Sequence, residues 1–270
     1  MKKQFLLWLL AFLLTVVLAV YQRLTGPTYP VRGRVSVPEI RFDFYRSWTS
    51  HQPLPVSVVV GGSGVDFRLY YRRFPFIEGE TWTMIPMEKG RFFSREAFIP
   101  GRPAAAKVAY KVEVLFRGGG SFWLNRGEFV VARFKDEIPD TLLILHIIFM
   151  FAGMLLAFRT CLEALRRDGR WQKFVPWPLA VTFIGGLVLG PLVQKLAFGS
   201  FWTGFPLGSD LTDSKTLFVV IFWLGAFLLR RKSRWWAIGA TILMVVIYLI
   251  PHSVLGSEMD YKTGKVITAK

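Results

Sequence analysis

The chain has 270 residues, 53% of them hydrophobic and 16% aromatic, with a mean hydropathy of +0.39 and a net charge of +16. So apolar a composition excludes an ordinary soluble domain and points to a membrane protein. The excess of positive charge does not by itself make a nucleic-acid binder, because most of it sits beside hydrophobic segments, where it reports topology.

The first apolar stretch is 5–20, preceded by Lys2 and Lys3. It reads as an uncleaved anchor helix within residues 1–22; a signal peptide ending at Val17-Leu18-Ala19 is the alternative. Either way, residues 21–140 are exported. Residues 23–38 form an extended connector punctuated by Pro27, Pro30 and Pro38. From Ile40 the chain alternates, with Ile40, Phe42 and Phe44 on one side and Arg41 and Asp43 on the other, the period of a half-buried strand. Further strands are expected at 56–60, 66–72, 81–87, 91–99, 107–116 and 122–133. Turn signals separate them, among them Gly61-Gly62-Ser63-Gly64, Pro100-Gly101-Arg102-Pro103 and Gly118-Gly119-Gly120. Short strands in this density, with no helical period, predict an extracytoplasmic β-sandwich of immunoglobulin or fibronectin-III type over 39–138. The one cysteine of the chain, Cys161, lies outside that region, so the sandwich folds without disulfides.

The β region runs into the next apolar segment through 135–140 almost without a linker, which predicts a domain held close to the bilayer. Four more apolar stretches, 141–158, 175–192, 216–229 and 235–250, predict a C-terminal four-helix transmembrane bundle over 139–251, with an extracytoplasmic tail at 252–270. The fold class is therefore an α+β membrane protein. A span takes about 20 residues. Residues 216–229 rise only about 21 Å at about 1.5 Å per residue, so their flanks must extend them. Charge sets the orientation. Lys2, Lys3, Arg159, Arg166, Arg167, Arg170, Lys173, Arg230, Arg231, Lys232 and Arg234 are 11 cations on alternate connections, the positive-inside signal. The N-terminus is then cytoplasmic, while residues 21–140 and the C-terminus are outside, in a multi-pass protein of a bacterial inner membrane. The exported region holds 18 Lys and Arg against 12 Asp and Glu. A mildly basic surface of that kind suits membrane lipid headgroups rather than nucleic acid.

The segment 199–215, GSFWTGFPLGSDLTDSK, is polar and aromatic between two spans. Trp202 and Phe205 suit interfacial anchors. Asp210 or Thr212 suits a helix cap; the functional alternative is that Asp210 and Asp213 hold a cation, a proton or a partner's basic group. Charge counting puts them on the same side as His252, Glu258 and Asp260 of the tail. His146 is shallow on that side too, about 9 Å below Asp140 at about 1.5 Å per residue. These six residues form a candidate polar or metal site of oxygen and imidazole ligands. Lys195 is the cation that would neutralise Asp210 or Asp213 instead. His146, Met150 and Met154 share one helix face at i, i+4 and i+8, with Cys161 near the same stripe. Such soft ligands suit copper, although Met is also ordinary filler between helices. Gly186 and Gly190 form a GxxxG for close packing, within the bundle or on a partner subunit.

No phosphate loop, dinucleotide fingerprint, zinc-protease, hydrolase-elbow or haem-attachment motif is present in the sequence, which argues against an enzyme. The leading expectation is a membrane protein whose exported sandwich and outer loops bind a protein partner or assist assembly of a membrane complex. A metal- or redox-handling protein is second. A transporter is third, because His146 is the one ionisable group well inside a span.

Overall fold

A computed structural model describes residues 2–62, 64–208, 210–251, 257–259, 261 and 266–268. The protein is mixed α+β, with a β-sheet region and several long apolar helices. It divides into two compact units. One comprises Met1–Pro27, Ile138–Ser257 and Val266–Lys270; the other comprises Thr28–Glu137 and Glu258–Lys265.

In the β unit the strands are β1 (Val31–Val35), β2 (Ile40–Phe44), β3 (Ser47–Thr49), β4 (Leu54–Val60), β5 (Val65–Phe74), β6 (Thr83–Pro86), β7 (Glu88–Lys89), β8 (Ser94–Ile99), β9 (Lys107–Phe116), β10 (Ser121–Trp123) and β11 (Val130–Lys135). One sheet runs β1-β2-β4-β8-β7 and the other β3-β11-β9-β5-β6, with β10 beside β9. Among the described residues, the pairings of these eleven strands are antiparallel except that of β3 with β11. The alternation read from the sequence fills one shared core. Ile40, Phe42 and Phe44 of the first sheet pack with Val108, Tyr110, Val112 and Val114 of the second. Burying such side chains contributes about 1.5–3 kcal/mol each. Within that core the Tyr110 hydroxyl donates to the Tyr45 carbonyl at 2.7 Å, and burial holds its phenol well above the usual range.

Two of the departures from the sequence reading have a plain local cause. The connector contains β1, whose period is hidden because its middle residue, Gly33, has no side chain. Gly33 pairs with Phe42, and a Cβ there would lie inside the Phe42 ring. Gly33→Val is therefore expected to cost about 1–3 kcal/mol by overpacking, read as a lowered unfolding midpoint. The expected strand 122–133 is broken at Asn125, Arg126 and Gly127, all with positive φ (52°, 56° and 83°), a conformation that no strand continues through.

The helical unit contains α1 (Lys2–Thr25), α2 (Asp140–Ala164), α3 (Pro176–Phe183), a π-helical stretch at Ile184–Leu189, α4 (Gly190–Phe198), α5 (Leu211–Leu229) and α6 (Trp235–Leu249). Among the described residues, four helices are long and apolar enough to cross a membrane: α1, α2, the run Trp171–Phe198, and α5. These support a membrane location. The fifth expected span is a shorter apolar helix of 15 residues, α6. It stops where it does because Ile250, at φ −75° and ψ 117°, is driven out of the helical region by Pro251.

The π-helical stretch centres on Gly185 and Gly186. A Cβ on Gly185 would sit 2.9 Å from the Phe149 Cβ and 3.1 Å from the Met150 sulfur of α2, and one on Gly186 would collide with Thr216 of α5. The two glycines thus let three helices approach closely. The Gly185 carbonyl accepts from the Gly190 amide, five residues on, and also meets His146 Nδ1 at 2.9 Å.

Candidate functional site

The 199–215 loop is a hydrogen-bonded clamp on the start of α5. α4 ends at Gly199, whose φ of 83° makes a left-handed cap. Trp202 Nε1 donates to the Phe205 carbonyl at 3.1 Å, folding the aromatic turn on itself. Asp210 is the N-cap of α5, its Oδ1 accepting from the Thr212 amide at 2.8 Å. Asp213 reaches back into the loop, its Oδ2 accepting from the amides of Thr203 at 2.7 Å and Gly204 at 3.1 Å. The Thr203 hydroxyl joins the two carboxylates: it donates to Asp210 Oδ2 at 3.0 Å and accepts from Gln194 Nε2 at 2.7 Å. Ser214 Oγ accepts from the Phe205 amide at 3.0 Å and donates to the Asp210 carbonyl at 2.8 Å. Asp210 and Asp213 are both buried. Gly204 is glycine because a Cβ there would run into Asp213 and the Ser214 amide.

This geometry assigns the carboxylates to backbone amides. Lys195, the expected neutralising cation, instead donates to the Gly199 carbonyl at 2.6 Å. Lys215, buried on α5, donates to the carbonyls of Ile250 at 3.2 Å and Pro251 at 3.4 Å, closing the end of α6.

Of the six residues expected to form one site, Asp210 and Asp213 are brought together through Thr203. His146 is engaged with Gly185 in the helical unit. Glu258 belongs to the β unit, where its carboxylate pairs with Lys107 of β9. Beside it, the Tyr261 hydroxyl donates to the Lys107 carbonyl at 3.0 Å and the Met259 amide to the Ala105 carbonyl at 3.2 Å. His252 and Asp260 lie outside the described residues. In the soft-ligand stripe, Met154 packs in the helical core with Trp223 and Met244, Met150 and Cys161 pack against that core, and Cys161 carries a free thiol. Among the described residues, no group of three or more His, Cys, Asp and Glu is placed to hold a metal ion. Gly190 faces the His146 ring, whose Cε1 would lie 3.7 Å from an added Cβ. Thr203, Gln194 and Ser214, which tie the loop together, carry no periodic signal. The one hint was a run of small polar residues on either side of a helix start.

A second feature lies in the β unit. The β7–β8 hairpin turns through Gly90-Arg91-Phe92-Phe93, and Phe92 and Phe93 are 90% and 85% exposed with φ of 50° and 61°. Two consecutive aromatic residues in the left-handed region cost on the order of 1–2 kcal/mol each. The strand register gathers more apolar surface at the same end. The Val60 amide donates to the Phe93 carbonyl at 3.1 Å, the Gly61 amide donates to the Glu39 carbonyl at 2.8 Å, and Val37 in the β1–β2 turn is 88% exposed. The chain enters β1 and leaves β11 at the opposite end, where Val31 pairs with Phe44 and Lys135 with Thr49.

The class defined by these features is a membrane protein with a two-sheet β unit. No protein-family model matches the chain, and no curated protein is significantly similar to it. Two solved structures align with it at low similarity. Astrotactin-2, described as a conserved vertebrate-specific and perforin-like membrane protein involved in neuronal development, is 9% identical with a TM-score of 0.26, over 80% of this chain and 37% of that one. A β-1,2-glucanase from Parabacteroides distasonis is 10% identical with a TM-score of 0.25, over 82% of this chain and 34% of that one. The chain thus spans about a third of the length of each, and neither likeness carries an argument about fold or activity.

Proposed function

We propose that this is an integral protein of a bacterial inner membrane, with its β unit outside, and that it binds a protein partner or assists assembly of a membrane complex through the Phe92-Phe93 tip. The observation that carries this reading is the tip itself. Two fully presented phenylalanines in a costly backbone conformation contribute nothing to the core of the β unit. Exposed apolar groups of this kind mark interaction surfaces. Val37 extends the patch, and Lys89, Arg91 and Arg95 beside it take no part in an ion pair among the described residues. Within the β unit the tip is opposite the end at which the chain enters and leaves. The strand order, with β3 parallel to β11 and two sheets around one core, supports an immunoglobulin-type sandwich.

The test is the double variant Phe92→Ser/Phe93→Ser in the full-length protein. It removes exposed side chains only, so the unfolding midpoint is expected to stay within a few degrees. Proteins that crosslink to the wild-type chain in mild detergent are expected to be lost from the variant. An identical set of crosslinked proteins from both would sink the reading.

A further inference from the structure

Within the helical unit, the N-terminal end of α1 and the C-terminal end of α2 enclose an open cavity of about 570 Å³. Its wall includes Gln4, Trp8, Glu163, Arg170, Lys173 and Trp177. Behind that wall Arg159 is completely buried. Its Nη1 donates to Glu163 Oε2 at 2.7 Å, its Nη2 donates to Gln4 Oε1, and its Nε has no partner among the described residues. Its guanidinium is 4.4 Å from the centre of the Phe174 ring and 5.4 Å from that of Trp8. Arg159 therefore fixes the aromatic wall and joins α1 to α2.

The charges on this wall do not balance. Glu163 is consumed by Arg159, by Arg166 Nη1 at 3.3 Å and by the Arg170 amide at 3.2 Å. Arg166 is further paired with Asp168 at 3.0 Å. The Arg170 and Lys173 side chains form no ion pair among the described residues, and both are exposed. Two spare cations thus border a cavity whose remaining wall, Trp8 and Trp177, is aromatic and partly open, with Trp177 59% exposed. An anion with an apolar body meets both requirements: its charge sits on Arg170 and Lys173, its body on the indoles. Basic pockets between membrane helices take phosphate headgroups for this reason.

We infer that this cavity binds a phosphate-bearing anion, with Arg170 and Lys173 holding the phosphate and Trp8 and Trp177 flanking the group that carries it. The source is either a membrane lipid headgroup or a soluble phosphate compound, and the assay separates them. Full-length protein in detergent is titrated with phosphatidylglycerol, with phosphatidylcholine of the same chains, and with glycerol 3-phosphate, and bound ligand is counted by native mass spectrometry.

One phosphatidylglycerol per chain is expected, held in preference to phosphatidylcholine. Arg170→Ala/Lys173→Ala is expected to weaken it by about tenfold or more. The control Arg231→Ala/Lys232→Ala, which removes equal charge from exposed positions on another connection, is expected to leave binding unchanged. Saturable binding of glycerol 3-phosphate with the same dependence on Arg170 and Lys173 upholds the site and names a soluble ligand. Equal retention of both lipids with no binding of glycerol 3-phosphate, or equal weakening by the two double variants, would overturn the inference.

Discussion

Asp213→Ala is expected to unlatch the 199–215 loop and to lower stability by about 2–4 kcal/mol, because it strands buried donors. Asp213 Oδ2 is the acceptor for the amides of Thr203 and Gly204. Both amides face the site that the side chain fills, and each unsatisfied buried group costs about 1–3 kcal/mol. The measurement is thermal or denaturant unfolding in detergent, paired with limited proteolysis between α4 and α5. Accelerated cleavage there should accompany the loss of stability. Asp213→Asn keeps one acceptor oxygen in place and is expected to lose less. The same pair of variants discriminates against a ligand-binding role. A metal-holding carboxylate would release a bound ion when replaced while leaving the fold as stable as before. That outcome, an ion lost with stability held, would refute the clamp.

What the sequence made legible depended on whether the determinants were local. The alternation of Val108, Tyr110, Val112 and Val114 gave the strand 107–116 with the bounds of β9, because side-chain period and burial coincide there. Asp210 as a helix cap is equally local, needing a carboxylate beside a helix start. β1 was hidden because Gly33 yields its place to the ring of a residue nine positions on. The break at Asn125-Arg126-Gly127 was missed because Phe122, Val130 and Val131 looked like one continuous run. Long-range ties left no trace at all: the Lys107–Glu258 ion pair joins residues 151 positions apart. Of the tail cluster, Glu258 completes a partly buried ion pair with Lys107 within the β unit, a tie that no local pattern announces. The six-residue site rested on topology, which assigns a side but not a distance. In contrast, Arg159 and Glu163 stand at the i, i+4 spacing of a helical ion pair.

That pair carries the other large expected effect. Glu163→Ala should cost about 3–5 kcal/mol, the usual consequence of leaving one member of a buried ion pair without its partner. The Arg159 and Glu163 side chains are 1% and 4% exposed. Removing Glu163 also deprives the Arg166 side chain and the Arg170 amide of their shared acceptor, so the turn after α2 should loosen as well. Arg159→Met/Glu163→Met separates charge from packing. Replacing both charges with apolar groups removes the desolvation penalty together with the attraction, and such exchanges are often neutral or better. The double variant is therefore expected to regain most of the stability lost by Glu163→Ala, when both are compared by unfolding in the same detergent. It should keep Arg170 and Lys173 while losing the guanidinium that steadies Trp8 and Phe174. If Glu163→Ala unfolds at the wild-type midpoint, Arg159 is solvated or paired elsewhere, and the ion pair does not stabilise the C-terminal end of α2.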